Sequence, residues 1–235
     1  MKIGVIVAMG AEFKLVEGLL ADKTVRKVGE YCFVEGTMEG KSIVLLQCGI
    51  GKVCSAVGTL EMVRIFAPDC IVNTGVAGGI DAALRVMDIV VGDTMVYHDV
   101  WCGEGNEYGQ IQGMPPYYRS DRRLYEMALQ MKPTVSLHGG GICSGDRFVT
   151  SRTELEEIKR NFPQGLAVDM ESCSIAQVCY MYAVPFLSFR IISDTPGVDR
   201  HAEQYRDFWI KAPEHSFQLL KQLIKTIKYE KDTEF

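Results

Sequence analysis

Glu12, Asp169, Glu171, Arg190 and Asp194 stand at or near the ends of apolar segments, where polar chemistry can emerge from a rigid layer. Glu12 follows the apolar run KIGVIVAM at 2–9. Asp169-Met170-Glu171 follow a short apolar segment at 166–168. Ser193 and Asp194 close PFLSFRIISD at 185–194, a segment apolar enough for a central strand that nevertheless carries Arg190. Carboxylates can serve as general acids and bases, and titratable groups gathered in one cleft mark a functional site. A guanidinium inside a strand is costly unless a carboxylate partners it. Each residue also has a plain structural reading. A glutamate in a first helical turn complements the macrodipole, an aspartate after a strand caps a turn, and an arginine can extend its stem over apolar surface. Their joint occurrence at strand ends favours a shared site.

Two glycine-rich stretches bear on what that site holds. CGIGKV at 48–53 meets neither phosphate-binding spacing. Leu46 and Val53 occupy the first glycine and the Ser/Thr positions of one pattern, and Cys54 replaces the third glycine of the other. NTGVAGG at 73–79 is compatible with a nest of backbone N–H groups or with a tight turn and close backbone packing.

The elements that must position these residues alternate along the chain. Strands are expected at 2–9, 31–37, 42–47, 70–75, 88–99, 135–143, 166–168 and 185–194, with a hairpin around Glu39-Gly40-Lys41. Helical spacing predicts helices at 11–21, 52–66, 121–131, 152–160, from Glu171 to 182, and at about 203–229. Residues 100–119, with Gly103, Gly105, Gly109, Gly113, Pro115 and Pro116, read as a long loop, a length usually tied to function. No repeat or linker interrupts 1–235, so one domain is expected, with a frayed tail at about 229–235. The fold class that follows is α/β in three layers, a mixed, mostly parallel central sheet covered by helices on both faces.

Bulk properties exclude several partners. A formal net charge of −5 with no basic block argues against nucleic acid. No run approaches the ~20 apolar residues of a membrane span. The 8 cysteines lack any CxxC pair and the 4 histidines are dispersed, so no metal site is expected. Unpaired cysteines in apolar segments fit a reducing, cytoplasmic location.

Taken together, MKIGVIVAM with Glu12, CGIGKV, NTGVAGG, VGDTMVYHD, EYGQ, SGDRFV, NFPQGLAVDMES and FRIISD follow the order and spacing of the methylthioadenosine/S-adenosylhomocysteine nucleosidases. The chain resembles that family, part of the nucleoside phosphorylase fold group, from residue 1 to about 220. AVDMES followed by RIISD is the most specific part of the match. The resemblance implies that Glu12 is the base that activates water and that Asp194, supported by Ser193, is the acid that protonates adenine N7. It implies that Glu171 and the Met170 backbone hold the ribose hydroxyls, with Arg190 organising Glu12, Glu171 and the water. Phe148 would stack on the base, and the Val149 backbone would read its Watson–Crick edge. Met9, Ile50, Met170 and Tyr205 would line the ribose and the 5′-thio group, with Val76, Ala77 and Gly78 also in the site. No cofactor or metal is implied. The implied partner is a second copy, whose loop at 100–116 approaches the neighbouring site.

Three positions depart from the family pattern. Val76 stands where members often carry serine, Gly10-Ala11 replace acidic residues common before the base, and VWCGEGNEYGQ is a shortened loop without its phenylalanine. The alternative within the fold group is a phosphorylase, which passes ribose to phosphate. Phosphate favours arginines at the glycine stretches, and Asn73-Thr74-Gly75 carries none, while Glu12 would repel an anion. A non-catalytic nucleoside-binding protein on the same fold is the third reading.

Overall fold

Strand alternation assigns each residue of the first strand to one of two cores. Ile3, Val5 and Val7 pack into one apolar cluster, and Ile6 and Ala8 into another on the opposite face. A strand buried on both sides in this way needs helices over both faces.

The computed structural model describes residues 1–195, 201–211 and 213–228. The chain begins with β1 (Lys2–Val7), α1 (Gly10–Glu17), β2 (Ala21–Val28), β3 (Tyr31–Met38) and β4 (Lys41–Gln47). Helix α2 (Lys52–Phe66) and strands β5 (Cys70–Gly79), β6 (Ile89–Tyr97) and β7 (Tyr118–Arg119) follow, then α3 (Arg122–Leu129) and β8 (Leu137–Ser144). The remaining elements are α4 (Arg152–Asn161), β9 (Gly165–Asp169), α5 (Ser172–Met181), β10 (Phe186–Asp194), α6 (His201–Lys211) and α7 (Pro213–Thr226).

The fold is α/β with a mixed sheet of 10 strands. The long ladders β1–β4, β1–β5, β5–β10 and β6–β8 are parallel, while β2, β3 and β4 form an antiparallel meander. Pairings β5–β10, β10–β6, β6–β8, β8–β9 and β9–β5 return to their starting strand, so one end of the sheet closes on itself. From β5 the sheet continues outward through β1, β4 and β3 to β2. Residues of α6 and α7, among them Phe208, Phe217, Leu220 and Leu223, fill one core with α1 and α3; Met62 and Phe66 of α2 and Ile175 and Cys179 of α5 fill the other.

Four sequence expectations are corrected here. NTGVAGG is neither a nest nor a turn: β5 runs on through Gly79, paired with β10 as far as Gly78. Helix α1 ends at Glu17, and an unexpected strand, β2, follows. It is a solvent-exposed edge strand carrying Asp22, Lys23, Arg26 and Lys27, so it shows no apolar alternation; charged edges discourage pairing with other chains. The single helix expected at 203–229 is two, because Pro213 opens α7: a proline lacks the N–H that a helix interior needs but suits the first helical turn. The expected loop at 100–119 yields its last two residues to the short strand β7. The hairpin at Glu39-Gly40 is present, with both residues at the positive φ that a tight β-turn of this hand requires. The tail at about 229–235 lies outside the described residues. Among the described residues no helix is long and apolar enough to cross a membrane.

Candidate active site

Strands β1, β5 and β10 are mutually parallel, so their C-terminal ends open on one edge, where ligands gather in α/β folds. A cavity of ≈ 130 Å³ lies there. The end of β1 contributes Ala8 and Met9, β5 contributes Val76, Ala77 and Gly78, the β9 end contributes Asp169, Met170 and Glu171, and β10 contributes Ser193 and Asp194. Glu12 enters from α1, Ile50 from the β4–α2 loop, Phe148 from the β8–α4 loop and Tyr205 from α6. A larger cavity of ≈ 580 Å³ beside the 100–116 loop contains none of the carboxylates singled out in the sequence, so chemistry and not size identifies the site.

Glu12 is fully buried and its carboxylate is wrapped by backbone. Oε2 accepts from the Ala8 and Met9 N–H groups at 3.0 and 2.9 Å, and Oε1 accepts from Val76 N–H at 3.0 Å. The Met9 contact reaches back to the residue that starts α1, which ties the side chain to the helix entry. Burial raises its proton affinity, and these N–H donors and the Arg190 charge offset that only in part. Gly75 makes the arrangement possible. Its φ is 143°, and a Cβ there would overlap Glu12 Oε1 and Arg190 Nη1.

Arg190 is 1% exposed, and the partner its burial demands is Asp169, at 2.6 Å from Nη2. Glu171 lies farther, at 3.9 Å. Nη2 also donates to Asn73 Oδ1 at 2.5 Å, and Nε and Nη2 reach Ser172 Oγ at 3.2 and 3.1 Å. Asp169 in turn accepts from Ser144 and Ser172 hydroxyls, both at 2.5 Å. Nε and Nη2 of the guanidinium are thus held within a buried network, which offsets the desolvation cost that an orphan charge would carry. Glu171 Oε1 accepts from Gly51 N–H at 2.9 Å, so the CGIGKV turn holds a carboxylate instead of a phosphate. Burial, reinforced by the neighbouring Asp169 charge, pushes the Glu171 carboxyl up to about 7.

Asp194 ends β10 at a register shift against Gly78 and is 2% exposed. Ser193 Oγ donates to its Oδ1 at 2.5 Å, and His201 Nε2 lies 2.6 Å from its Oδ2. Burial raises its proton affinity against the opposing influence of both neighbours. Phe148, 58% exposed, presents its ring near His201 and Tyr205, each at 5.7 Å between centroids. Tyr205 Oη contacts Met9 Sδ at 3.6 Å.

Of the residues singled out in the sequence, the cavity wall unites Met9, Glu12, Ile50, Val76, Ala77, Gly78, Phe148, Met170, Glu171, Ser193, Asp194 and Tyr205. Arg190 stands behind that wall. Val149 is buried and lines a small adjoining recess shared with Gly78, Phe148 and Asp194. Sequence reasoning gave no role to Asp169 and His201. Asp169 stood among the strand-end carboxylates and Arg190 called for a carboxylate partner, but nothing in the sequence joined the two. Nothing local marks His201, which reaches Asp194 only through the placement of α6.

Comparison with known proteins extends this geometry. A family model described as the phosphorylase superfamily matches residues 2–225. A 5′-methylthioadenosine/S-adenosylhomocysteine nucleosidase of Haemophilus influenzae is 40% identical over 95% of this chain and 98% of its own length, and one of Lysinibacillus sphaericus is 41% identical over 97% and 100%. Among solved structures, the Neisseria meningitidis enzyme in complex with methylthio-immucillin-A superposes with a TM-score of 0.91 at 34% identity, covering 96% of this chain and 99% of that one. The Colwellia psychrerythraea enzyme in complex with adenine gives 0.90 at 34% identity, covering 96% and 95%. Likeness of sequence and of backbone thus runs nearly the whole length of both partners, and the chain belongs to the phosphorylase superfamily and, within it, to the 5′-methylthioadenosine/S-adenosylhomocysteine nucleosidases.

Proposed function

We propose that this chain hydrolyses the N-glycosidic bond of 5′-methylthioadenosine and S-adenosylhomocysteine, releasing adenine and the 5′-thio-substituted ribose. The observation that carries this reading is the meeting of Glu12 and Asp194, two buried carboxyls with separate partners, in one cavity whose wall also holds Glu171 and a set of apolar side chains. Adenine leaves poorly as an anion, so it must gain a proton as the bond breaks. Asp194 supplies it to N7, because burial lets its carboxyl keep a proton at higher pH than a free aspartate would. Positive charge grows on the ribose as the C1′–N9 electron pair moves to the base, and carboxylates near the sugar stabilise it. Glu12 takes the proton of the attacking water, whose oxygen bonds C1′.

The remaining wall residues orient the substrate. Glu171 and the Met170 backbone hold the ribose hydroxyls, and Arg190 stabilises the carboxylate cluster around the water. Phe148 offers an uncovered aromatic face to the base, the Val149 backbone its Watson–Crick contacts, and Met9, Ile50, Met170 and Tyr205 an apolar lining for the sugar and thioether.

Phosphorolysis is disfavoured by how the anion-binding groups are already engaged. Arg190 is bound to Asp169, Asn73 and Ser172, and the Val76 N–H is given to Glu12. Phosphate would have to displace a carboxylate, whereas water accommodates one. The test is incubation with methylthioadenosine in buffer with and without phosphate, with identification of the sugar. Free methylthioribose formed without phosphate is the expected product; strict dependence on phosphate would replace this reading with a phosphorylase.

A second copy of the chain is proposed as partner. Val53 and Val57 on α2 and Met181 on α5 are exposed and line one groove with Val100 and Ile111 of the 100–116 loop, a contiguous apolar face of the kind that marks an interaction site. A cytoplasmic location is supported by the thiols, since all 8 cysteines are unpaired.

A further inference from the structure

We propose that His201 is a positioning residue for the acid: its Nε2–H binds Asp194 Oδ2, so that the transferable proton resides on Oδ1 and the carboxylate left behind is stabilised. This rests on the hydrolytic reading above and extends it to a residue outside the cavity wall.

The two oxygens of Asp194 have different neighbours. Oδ2 faces His201 Nε2 at 2.6 Å, while Oδ1 faces Ser193 Oγ at 2.5 Å. A histidine N–H donating to Oδ2 leaves that oxygen an acceptor only, which confines the carboxyl proton to Oδ1. Ser193 can accommodate either state, because its Oγ also lies 3.4 Å from the Ala77 carbonyl oxygen. With Asp194 protonated, the serine hydrogen points to Ala77. As the Oδ1–H bond breaks and the N7–H bond forms, the serine hydrogen turns to Oδ1. The C1′–N9 electron pair goes to the base, and the negative charge stays on a carboxylate held by the fixed His201 donor and the redirected Ser193 hydroxyl. Donors aimed at charge that develops only in the transition state lower the barrier without strengthening ground-state binding.

The surroundings fit this division. His201 is buried, its ring rests near Phe148, and it opens α6, so the helix carrying Tyr205 also fixes the imidazole. The ionisable groups that share walls with Asp194 are Glu12 on α1, Tyr205 on α6, Asp169 and Glu171 at the β9 end, and Arg147 in the adjoining recess. Arg190 on the same strand is engaged with Asp169. Among the described residues His201 is the side chain whose ring nitrogen reaches Asp194 Oδ2, and the two carry opposite charges when the imidazole is protonated. Histidine and serine both favour the ionised carboxyl, against burial.

Loss of His201 therefore has two effects of opposite sense. Asp194 holds its proton more tightly, which moves the alkaline limb of kcat/KM upward by on the order of one pH unit. At the same time kcat falls about tenfold or more, since the departing proton leaves an unsupported charge. The experiment compares wild type, His201→Leu and His201→Gln with methylthioadenosine across pH, following adenine release. The expected result is a lower kcat, little change in KM and a raised alkaline limb for His201→Leu, with kcat partly recovered in His201→Gln, which keeps an N–H donor. If the leucine variant does not fold, the glutamine variant must still show a raised limb, because an amide cannot become a cation beside Asp194 as an imidazole can. An unmoved limb, or a glutamine enzyme no better than the leucine one, would reduce His201 to a packing residue while leaving hydrolysis intact. A wild type that releases no adenine would remove the hydrolytic reading and this one together.

Discussion

Two carboxyls can share one cavity and serve opposite roles only if their surroundings differ, and here they do. Glu12 is surrounded by backbone N–H donors, which favour the ionised form a base needs; Asp194 relies on side-chain partners whose hydrogens can be redirected. Replacing Asp194 with asparagine is expected to lower kcat by at least ~10²-fold with the fold retained, as for loss of a general acid; near-normal turnover would take Asp194 out of that role. Glu12→Gln is expected to abolish hydrolysis while calorimetry still detects nucleoside binding, and retained hydrolysis would place the base elsewhere. Glu171 makes a prediction about stability. Its carboxyl ordinarily titrates at 4.5 and here at about 7, so between those values the folded chain holds a proton that the unfolded chain has lost. Its contribution to stability is therefore complete below the ordinary value and lost as pH rises through the folded one. In Glu171→Gln that loss disappears, so Tm of the variant relative to wild type should rise between about pH 5 and about pH 8. A constant or falling difference in thermal melts would contradict the raised value. The positions of these carboxyls were legible because each follows an apolar run; their partners were not, since hydrogen bonds across the fold leave no trace in local pattern.

At the scale of elements, β5 carries the most consequence. Its glycines suggested a nest of N–H groups or a tight turn with close backbone packing, yet the strand continues to Gly79, and the special backbone of Gly75 lets Glu12 and Arg190 approach it. Gly75→Ala is therefore expected to destabilise the protein by about 1–3 kcal/mol through the strained φ and to lower kcat/KM by displacing Glu12. Chemical denaturation with parallel kinetics checks both, and a variant unchanged in either would show that the strand has room to adjust. The unread strand β2 and the division of α6 from α7 have simpler causes. An exposed, charged edge strand has no buried face to impose alternation, and the helical spacing on both sides of Pro213 outweighed the proline in the sequence reading.

For the whole molecule, the proposed second copy would cover the apolar face beside α2. Val53 lines that face and is 73% exposed. Sedimentation equilibrium should return twice the chain mass of 26.2 kDa for wild type, and a value moving toward the single-chain mass for Val53→Asp, where a buried charge would oppose association. A wild type that sediments as a single chain at micromolar concentration would remove the proposed partner. The glycines and prolines predicted a loop here, and the family resemblance implied its place against a second copy; in the fold it lends Val100 and Ile111 to the groove beside α2 and α5.

By itself the sequence determined the alternation of strands and helices, the membership of the family and the strand-end location of Glu12, Glu171 and Asp194. Those features follow from periodicity and motif spacing, which are local properties of the chain. Only the tertiary structure decided that β5 runs straight through its glycines, that Asp169 answers the charge of Arg190, and that His201 reaches Asp194. Each of these depends on which strand lies beside which and on where a distant helix settles, and that is set by burial summed over the whole core, not by any one segment.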